Sequence, residues 1–274
     1  AGRNILEFFP GKGAEIGPII KNGVSWDRFW IYTGCLGLLI SGVLLILLPK
    51  ETPRTATGGS GALATLLHSL GRVFSNPQSY LCGFISGLLF IPTTILGMTW
   101  GVRFLQEARG REFEAAVTLA ASIPLGWMIG CPLLGFISDR LGRRKPVIFG
   151  GTIMLLAVVS WVLFGNPEIL RGHTVGILMG IASGAAMLPY TVIKEANPPE
   201  LGGTATGVVN FLNFTFSALL SPVFGARLME MPEGDTSLAL VHYQAGFKPL
   251  LYGIVVALIL TFFLKETGPA SRDK

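Results

Sequence analysis

The stretch GFISDRLGRRKP at residues 135–146 separates two long segments, 115–137 and 146–164, that carry no charged side chain. The stretch concentrates four cations and one carboxylate: Arg140, Arg143, Arg144, Lys145 and Asp139. Each flanking segment is apolar and about 20 residues long, which is the length a helix needs to cross a bilayer. Gly135 and Gly142 permit close helix approach or a sharp turn. The pattern therefore predicts a short charged turn between two membrane-spanning helices.

The composition is that of an integral membrane protein. Half of the residues are apolar, only 14% are charged, and the mean hydropathy is +0.59, whereas about a quarter of a soluble domain is charged. All 21 Lys and Arg residues and all 16 Asp and Glu residues lie outside seven apolar segments. We therefore predict an all-α membrane protein with seven transmembrane helices. The predicted spans are 29–48, 80–100, 115–137, 146–164, 175–193, 204–226 and 249–264.

Other function classes find little support in the residues. The net charge of +5 does not indicate nucleic acid, because its densest cluster lies between two spans. The cysteines fall within spans and lack metal-ligand spacing: Cys35, Cys82 and Cys131. The histidines are predicted to lie in loops: His68, His173 and His242. Since no catalytic grouping is visible, we predict no enzyme activity, no metal site and no cofactor.

The pattern Gly-x-x-x-Asp-Arg-x-Gly-Arg-Arg-Lys at 135–145 resembles the loop signature of the major facilitator superfamily of secondary transporters. The alternative is a basic loop that only fixes topology. Lys-Glu-Thr also occurs after both the first and the last span, at 50–52 and 265–267, which indicates an internal duplication. In the superfamily two six-helix halves repeat, and helices six and twelve end in similar charged motifs on the cytoplasmic side. The resemblance implies the C-terminal half of a bacterial-type carrier, preceded by the last helix of the N-terminal half.

This resemblance implies a division of the chain into five parts. They are a non-cytoplasmic segment (1–28), the last helix of the N-terminal half (29–48), a cytoplasmic inter-half linker (49–79), a six-helix bundle (80–264) and a cytoplasmic tail (265–274). Within the linker, five apolar residues at helical spacing predict an amphipathic helix: Leu63, Leu66, Leu67, Leu70 and Val73. That helix lies either on the membrane or against its own bundle. The expected location is the cell membrane, specifically a bacterial inner membrane, with the C-terminus in the cytoplasm.

The charged loop is expected to act as a conformational latch. In the superfamily its Asp faces the positive end of a helix in the opposite half and pairs with nearby arginines. Carried onto this sequence, Asp139 is the latch and its local partners are Arg140, Arg143 and Arg144, while Gly135 and Gly142 shape the loop. The opposite helix would belong to the missing N-terminal half.

Two spans carry candidates for a solute cavity beside helix-breaking residues. Thr93 and Thr94 follow Pro92, in a helix that lines the cavity and bends in the family. Their alternative role is to satisfy carbonyls freed by the proline. Trp127 is a candidate for stacking on a solute, and the alternative is a packed or lipid-facing side chain.

The sixth predicted span carries the most specific polar pattern. Asn210, Asn213 and Ser217 are spaced i, i+3 and i+7 and share one helix face. Amides in a membrane helix face protein or water, so this face either lines the cavity or forms interhelical hydrogen bonds. Tyr190 is either a cytoplasmic gate contact or an interfacial tyrosine.

The resemblance implies transport of a small solute by alternating access, in which two bundles rock about a midplane site. The expected partners are the lipid bilayer, the solute and the missing N-terminal half. No predicted span contains an ionisable group, so a coupling ion such as H+ would act through the absent helices, or transport is facilitated. A truncated, non-transporting membrane fragment or scaffold is the alternative function. The chain begins at Ala1 without Met, so initiator removal and a start within a longer protein are both open.

Overall fold

The computed structural model describes residues 26–48, 60–166, 172–229 and 236–271, which are helical apart from short connections. Seven helical segments within these ranges are long and apolar enough to cross a membrane. The predicted all-α membrane fold with seven transmembrane helices is therefore confirmed. The predicted non-cytoplasmic segment (up to residue 25) and most of the linker, with the Lys-Glu-Thr at 50–52, lie outside the described residues.

The chain divides into two compact units, Ala1–Ala62 and Leu63–Lys274, and the bundle belongs to the second. The helix Pro77–Pro92 continues as a π-helical stretch (Thr93–Thr99), and together they form one span. The helices Gly172–Ser183 and Leu188–Glu195 are joined by a 3-10 stretch (Gly184–Met187) and also form one span. The helices are α1 (Trp26–Leu47), α2 (Ser60–Phe74), α3 (Pro77–Pro92), α4 (Gly101–Glu107), α5 (Phe113–Leu141), α6 (Lys145–Phe164), α7 (Gly172–Ser183), α8 (Leu188–Glu195), α9 (Gly202–Met229) and α10 (Thr236–Phe263).

The predicted amphipathic helix is α2. Its C-terminal half packs against the bundle, where Val73 is fully buried and Leu70 contacts the core. Three leucines nearer its start remain exposed: Leu63, Leu66 and Leu67.

Pro92 marks a change of helix type within its span. A proline has no N–H to donate, so the regular ladder cannot continue through it unchanged. The chain responds with a π-helical turn, in which the N–H of Trp100 donates to the carbonyl of Ile95, five residues earlier, at 2.8 Å. The span therefore changes from α-helical to π-helical geometry directly after Pro92.

The bundle has two central spans and a more exposed periphery. α5 packs mainly on α7, α9 on α3, and α10 on both α6 and α3. Buried residues make up 61% of the apolar window in the span of α3 and 67% in the span of α7 and α8, but only 28% for α5 and 22% for α9. α5 and α9 therefore turn the most apolar surface outward.

Glycines allow α5 and α7 to lie almost backbone to backbone. A Cβ on Gly126 of α5 would lie 2.2 Å from the carbonyl oxygen of Ile177, and one on Gly180 of α7 would lie 2.0 Å from that of Ile123. No side chain fits at such distances. Small residues therefore permit the close packing of these two spans.

The last helix begins earlier than predicted. α10 starts at Thr236 rather than near residue 249, because Tyr243 and Phe247 are fully buried against Phe104 of α4, with ring centroids 5.4 and 5.8 Å from it. Tertiary packing thus extends the helix beyond the uncharged run and includes Lys248 in it.

The placement of the histidines in loops was wrong. His68 lies in α2, His173 in the first turn of α7 and His242 in α10. The segments that carry them are more polar than the apolar runs, but each continues as helix into a packed region.

Candidate functional site

The signature stretch 135–146 forms the predicted charged turn between two spans. α5 continues through Leu141, and Gly142 then ends it in the left-handed conformation, with φ of 64° and its N–H donating to the carbonyl of Asp139 at 3.1 Å. α6 begins at Lys145. Asp139 therefore lies in the last turn of one helix, and Arg144 directly precedes the next.

Arg144 is the centre of this site. Its side chain is buried and binds Glu195 of α8 through two hydrogen bonds, Nη2 to Oε1 at 2.7 Å and Nε to Oε2 at 3.2 Å. Its Nη1 donates to Asp139 Oδ1 at 2.5 Å and to Ser138 Oγ at 3.0 Å. The planar guanidinium matches this bidentate geometry in a way that a lysine cannot.

Helix dipoles explain why these charges need one another. Asp139 lies at the negative end of α5 and Arg144 at the positive end of α6, so each is unfavourable by itself. The hydrogen bond from Arg144 to Glu195 is the main factor that raises the pKa of Arg144, against burial, which lowers it. The pair with Asp139 raises it further.

Glu266, from the segment after α10, occupies the start of α6. Its carboxylate accepts the backbone N–H groups of Arg144 at 2.7 Å, Lys145 at 3.1 Å, Thr267 at 3.1 Å and Gly268 at 3.2 Å. An acid at a helix N-terminus is favourable. Burial pushes the pKa of Glu266 up, but these four backbone hydrogen bonds outweigh it and hold the pKa below its ordinary value of 4.5.

The same terminal segment locks onto the turn. Thr267 Oγ1 donates to Glu195 Oε2 at 2.6 Å, and the N–H of Ala270 donates to the carbonyl of Gly142 at 3.0 Å. A Cβ at Gly268 would lie 2.2 Å from that same carbonyl oxygen, so only glycine fits. The charged network, as we call it, consists of Asp139, Arg144, Glu195, Glu266 and Thr267. It joins α5, α6, α8 and the end of α10.

The predicted latch residues differ in their burial and in their ion pairs. Arg144 lies beside Asp139, whereas Arg140 and Arg143 are exposed and make no ion pair within the described part of the chain. Glu195 and Glu266 were not predicted from the sequence as members of this site. The Lys-Glu-Thr at 265–267 was the available signal for Glu266, but it was interpreted only as a mark of duplication.

Three of the predicted cavity residues come together. The hydroxyl of Tyr190 donates to Asn210 Oδ1 at 3.0 Å, and Asn213 Nδ2 donates to the Tyr190 hydroxyl oxygen at 3.4 Å. Asn210 is exposed, whereas Asn213 is 2% exposed. Asn213 Oδ1 and Ser217 Oγ are buried without a protein partner. The amide cluster, defined as Tyr190, Asn210, Asn213 and Ser217, thus leads from an exposed amide to buried atoms that are free to bond.

The other three candidates, Thr93, Thr94 and Trp127, make their contacts outside the amide cluster. Thr93 is buried and donates to Ser183 Oγ at 2.6 Å, and Thr94 donates to the carbonyl of Phe90 at 3.4 Å. Trp127 is half-buried beside Phe90, at 5.9 Å between ring centroids, and its Nε1 has no protein partner. No hydrogen bond between described residues joins these three to the amide cluster.

A metal-binding role gains no support, since no group of three or more His, Cys, Asp or Glu residues among those described is placed to hold an ion.

The chain is similar to several known proteins. Myo-inositol transporter 3C of Cryptococcus neoformans var. grubii is 25% identical over 69% of this chain and 29% of its own length. Membrane sensor protein UhpC of Escherichia coli is 26% identical over 87% of this chain and 60% of its own length. The inward-open structure of the E. coli xylose transporter XylE shares the fold, with a TM-score of 0.56 and 22% identity over 71% of this chain and 48% of that one.

The chain therefore spans 29% to 60% of the length of these relatives. A family model for the Major Facilitator Superfamily matches residues 11–222, which is well over half of the chain and includes the signature turn. This multi-pass membrane protein belongs to the Major Facilitator Superfamily.

Proposed function

We propose that this chain is the C-terminal part of a carrier that moves a small polar solute across the membrane by alternating access. The family is one of transporters rather than enzymes, and relatives named as transporters support the proposal. In it, residues 29–48 are the last helix of the N-terminal half, 49–79 the linker, 80–264 one bundle and 265–274 a cytoplasmic tail, with 1–28 on the opposite side. We place the protein in a bacterial inner membrane.

The observation that carries the proposal is a polar cluster on the outward face of α9. Asn210 is exposed there, and its neighbours Phe211 and Phe214 are 62% and 56% exposed. An amide is costly against lipid but not against a water-filled cavity. Together with the low burial of α5, this favours an interface with a second bundle in which the amide cluster faces a central cavity.

The chemistry of the cluster favours an uncharged, hydroxyl-bearing solute. It offers one phenol, two amides and one hydroxyl, which both donate and accept hydrogen bonds, and it contains no charge. Asn213 Oδ1 and Ser217 Oγ are the unpartnered acceptors that a hydroxyl would satisfy. The relatives named for myo-inositol and xylose make these two compounds the first probes.

Cysteine accessibility tests this proposal. The exposed Cys35 and half-buried Cys131 are first replaced by Ser, and buried Cys82 is kept. In that background, Asn210→Cys in native membranes is expected to react with a membrane-impermeant thiol reagent, and myo-inositol or xylose is expected to slow the reaction. Ile153→Cys, exposed on α6, is the matched control and should stay unreactive. If Asn210→Cys is as inert as the control, the amide cluster is only a set of interhelical hydrogen bonds.

The charged network is proposed to control closure. Asp139 is held by Arg144 on one side, yet its side chain is 70% exposed, which leaves it accessible to a helix end in an opposite half. Within the bundle, α10 places His242 and Lys248 inside an apolar span, so these are the local candidates for proton coupling. Coupling through the absent helices, or facilitated transport, are the other forms of the proposal.

A sensor is the second candidate function, because the relative named as a membrane sensor matches 87% of the chain. A sensor would show solute protection at Asn210→Cys without solute uptake. A scaffold or non-transporting fragment would show neither.

A further inference from the structure

We propose that the end of the bundle opposite the charged network holds one phospholipid, with its phosphate at Arg109 and Arg111 and an acyl chain in the groove between α6 and α7. This site is independent of the transport proposal and of the orientation of the chain in the membrane.

The first observation is an open cavity of about 100 Å³ lined mainly by α4, α5, α6 and α7. Arg109 and Arg111 are the charged residues among its described lining. The rest of that lining is apolar or glycine, including Phe104, Trp161 and Val175. The cavity therefore combines apolar walls with a cationic mouth.

The second observation is an adjoining groove of about 180 Å³, whose described lining is entirely apolar. It shares Trp161 and Val175 with the first cavity and extends to Ala157, Val158 and Leu178. Ala157 lies four residues before Trp161 on α6, which is roughly 6 Å nearer the middle of the span. The two spaces thus form one path from the charged end of the bundle into the depth of the membrane.

The third observation concerns the burial and the hydrogen-bond partners of the Arg109 guanidinium. Its half-buried guanidinium donates from Nη2 to the carbonyl oxygens of Val162 and Leu163, at 2.9 and 3.3 Å, which are neutral acceptors at the end of α6. Burial lowers its pKa. The nearby Glu107 is already bound by Arg103 at 2.6 Å and Tyr243 at 2.7 Å. Within the described ranges, Arg109 makes no ion pair, so an anion there would meet an uncompensated cation with free donors.

A phospholipid suits this arrangement better than a soluble anion does. Each Arg near a membrane surface favours an anionic headgroup by roughly fivefold in affinity. Each acyl CH₂ that leaves water adds roughly fourfold, which free phosphate cannot gain. The short α4 lies directly after the span that ends at Thr99, so the two arginines are at headgroup level while the groove is at acyl-chain level.

Native mass spectrometry of the purified 274-residue chain in detergent tests the site. The probes are dioleoyl-phosphatidylglycerol, dioleoylglycerol and inorganic phosphate. We expect a single saturable phosphatidylglycerol adduct, at least tenfold weaker binding of dioleoylglycerol, and no displacement by millimolar phosphate. Arg109→Gln combined with Arg111→Gln should weaken phosphatidylglycerol binding by roughly 25-fold, as two headgroup contacts predict. Arg227→Gln, an exposed arginine at the same end, is the matched control.

Two further variants keep the result decisive if loss of Arg109 unfolds the end of α6. Arg111→Gln alone removes an exposed side chain and should weaken binding about fivefold. Ala157→Phe should fill the groove and abolish the adduct, whereas Ile153→Phe, one turn away on α6, should not.

Displacement by phosphate alone would overturn the proposal in favour of a soluble-anion site. Equal binding of dioleoylglycerol, or an adduct unaffected by both Arg111→Gln and Ala157→Phe, would also overturn it.

Discussion

At the scale of single residues, the buried guanidinium of Arg144 is the most consequential group of the bundle. It is 5% exposed, lies between two carboxylates on different helices, and its backbone N–H is bound by a third from the terminal segment. Removing Arg144 leaves the carboxylate of Glu195, whose side chain is only 17% exposed, without its ion pair. The loss therefore exceeds the net value of any one contact.

The expected consequence is a strong asymmetry between neighbouring arginines. Arg144→Gln should lower the free energy of unfolding by about 3 kcal/mol, because half-buried Glu195 loses its only ion pair among the described residues. Arg143→Gln, exposed and one residue away, should change it by no more than about 0.5 kcal/mol. Denaturant unfolding of the purified chain measures both. Similar decreases in the free energy of unfolding for the two variants would contradict a stabilising role of the charged network.

Glu266 predicts a specific dependence on pH. Its pKa is lowered in the folded chain, so its contribution is complete above the ordinary value of 4.5 and is lost as the pH falls through the folded pKa. Glu266→Gln should therefore reduce the melting temperature at pH 7 and should have progressively less effect on acidification below about pH 4.5. Melting curves from pH 7 to pH 3.5 check this. Glu200→Gln, an exposed acid, is the control and should leave the curve unchanged. A pH-independent loss for Glu266→Gln would refute the electrostatic explanation.

At the scale of helices, the contact between α5 and α7 has no room for a methyl group. Gly180→Ala places a Cβ 2.0 Å from the carbonyl oxygen of Ile123, so the helices must separate, at a cost of about 1 to 3 kcal/mol or more. Gly150→Ala on α6 has nothing within 4 Å of the new Cβ and should be neutral or slightly stabilising. Thermal unfolding of the two variants provides the comparison. Equal stability would mean that α5 and α7 approach less closely than described.

Local patterns allowed the prediction of the seven spans and of α2, but not of the short α4 or of the bonds between distant helices. The charged turn and the polar face at Asn210 follow from spacing within one segment. The partner of Arg144 does not, because Glu195 is 51 residues away and lies at the end of a small-residue span that gives no sign of it. Likewise, α10 begins early because Tyr243 packs on Phe104 of a different helix. Long-range pairing of this kind depends on the complete bundle.

At the scale of the whole molecule, the two least buried spans of the bundle, α5 and α9, determine what the bundle needs. Both helices present exposed apolar side chains, such as Leu125 and Met128 on α5 and Phe211 on α9. In the proposed alternating-access carrier, such a surface forms one cavity wall and requires a second wall facing it. A single wall can bind a solute weakly, but it cannot seal either side of the membrane.

We therefore expect no saturable uptake of myo-inositol or xylose into liposomes that contain only the purified 274-residue chain. Uptake is expected when the chain is co-reconstituted with the five helices that, with residues 29–48, complete the proposed N-terminal half, because the apolar faces of α5 and α9 then have a partner. Those five helices alone are the control for leakage and should be inactive. Saturable uptake by the 274-residue chain alone would contradict the half-carrier proposal, and blue-native electrophoresis of the active sample would then show whether a second copy supplies the missing wall.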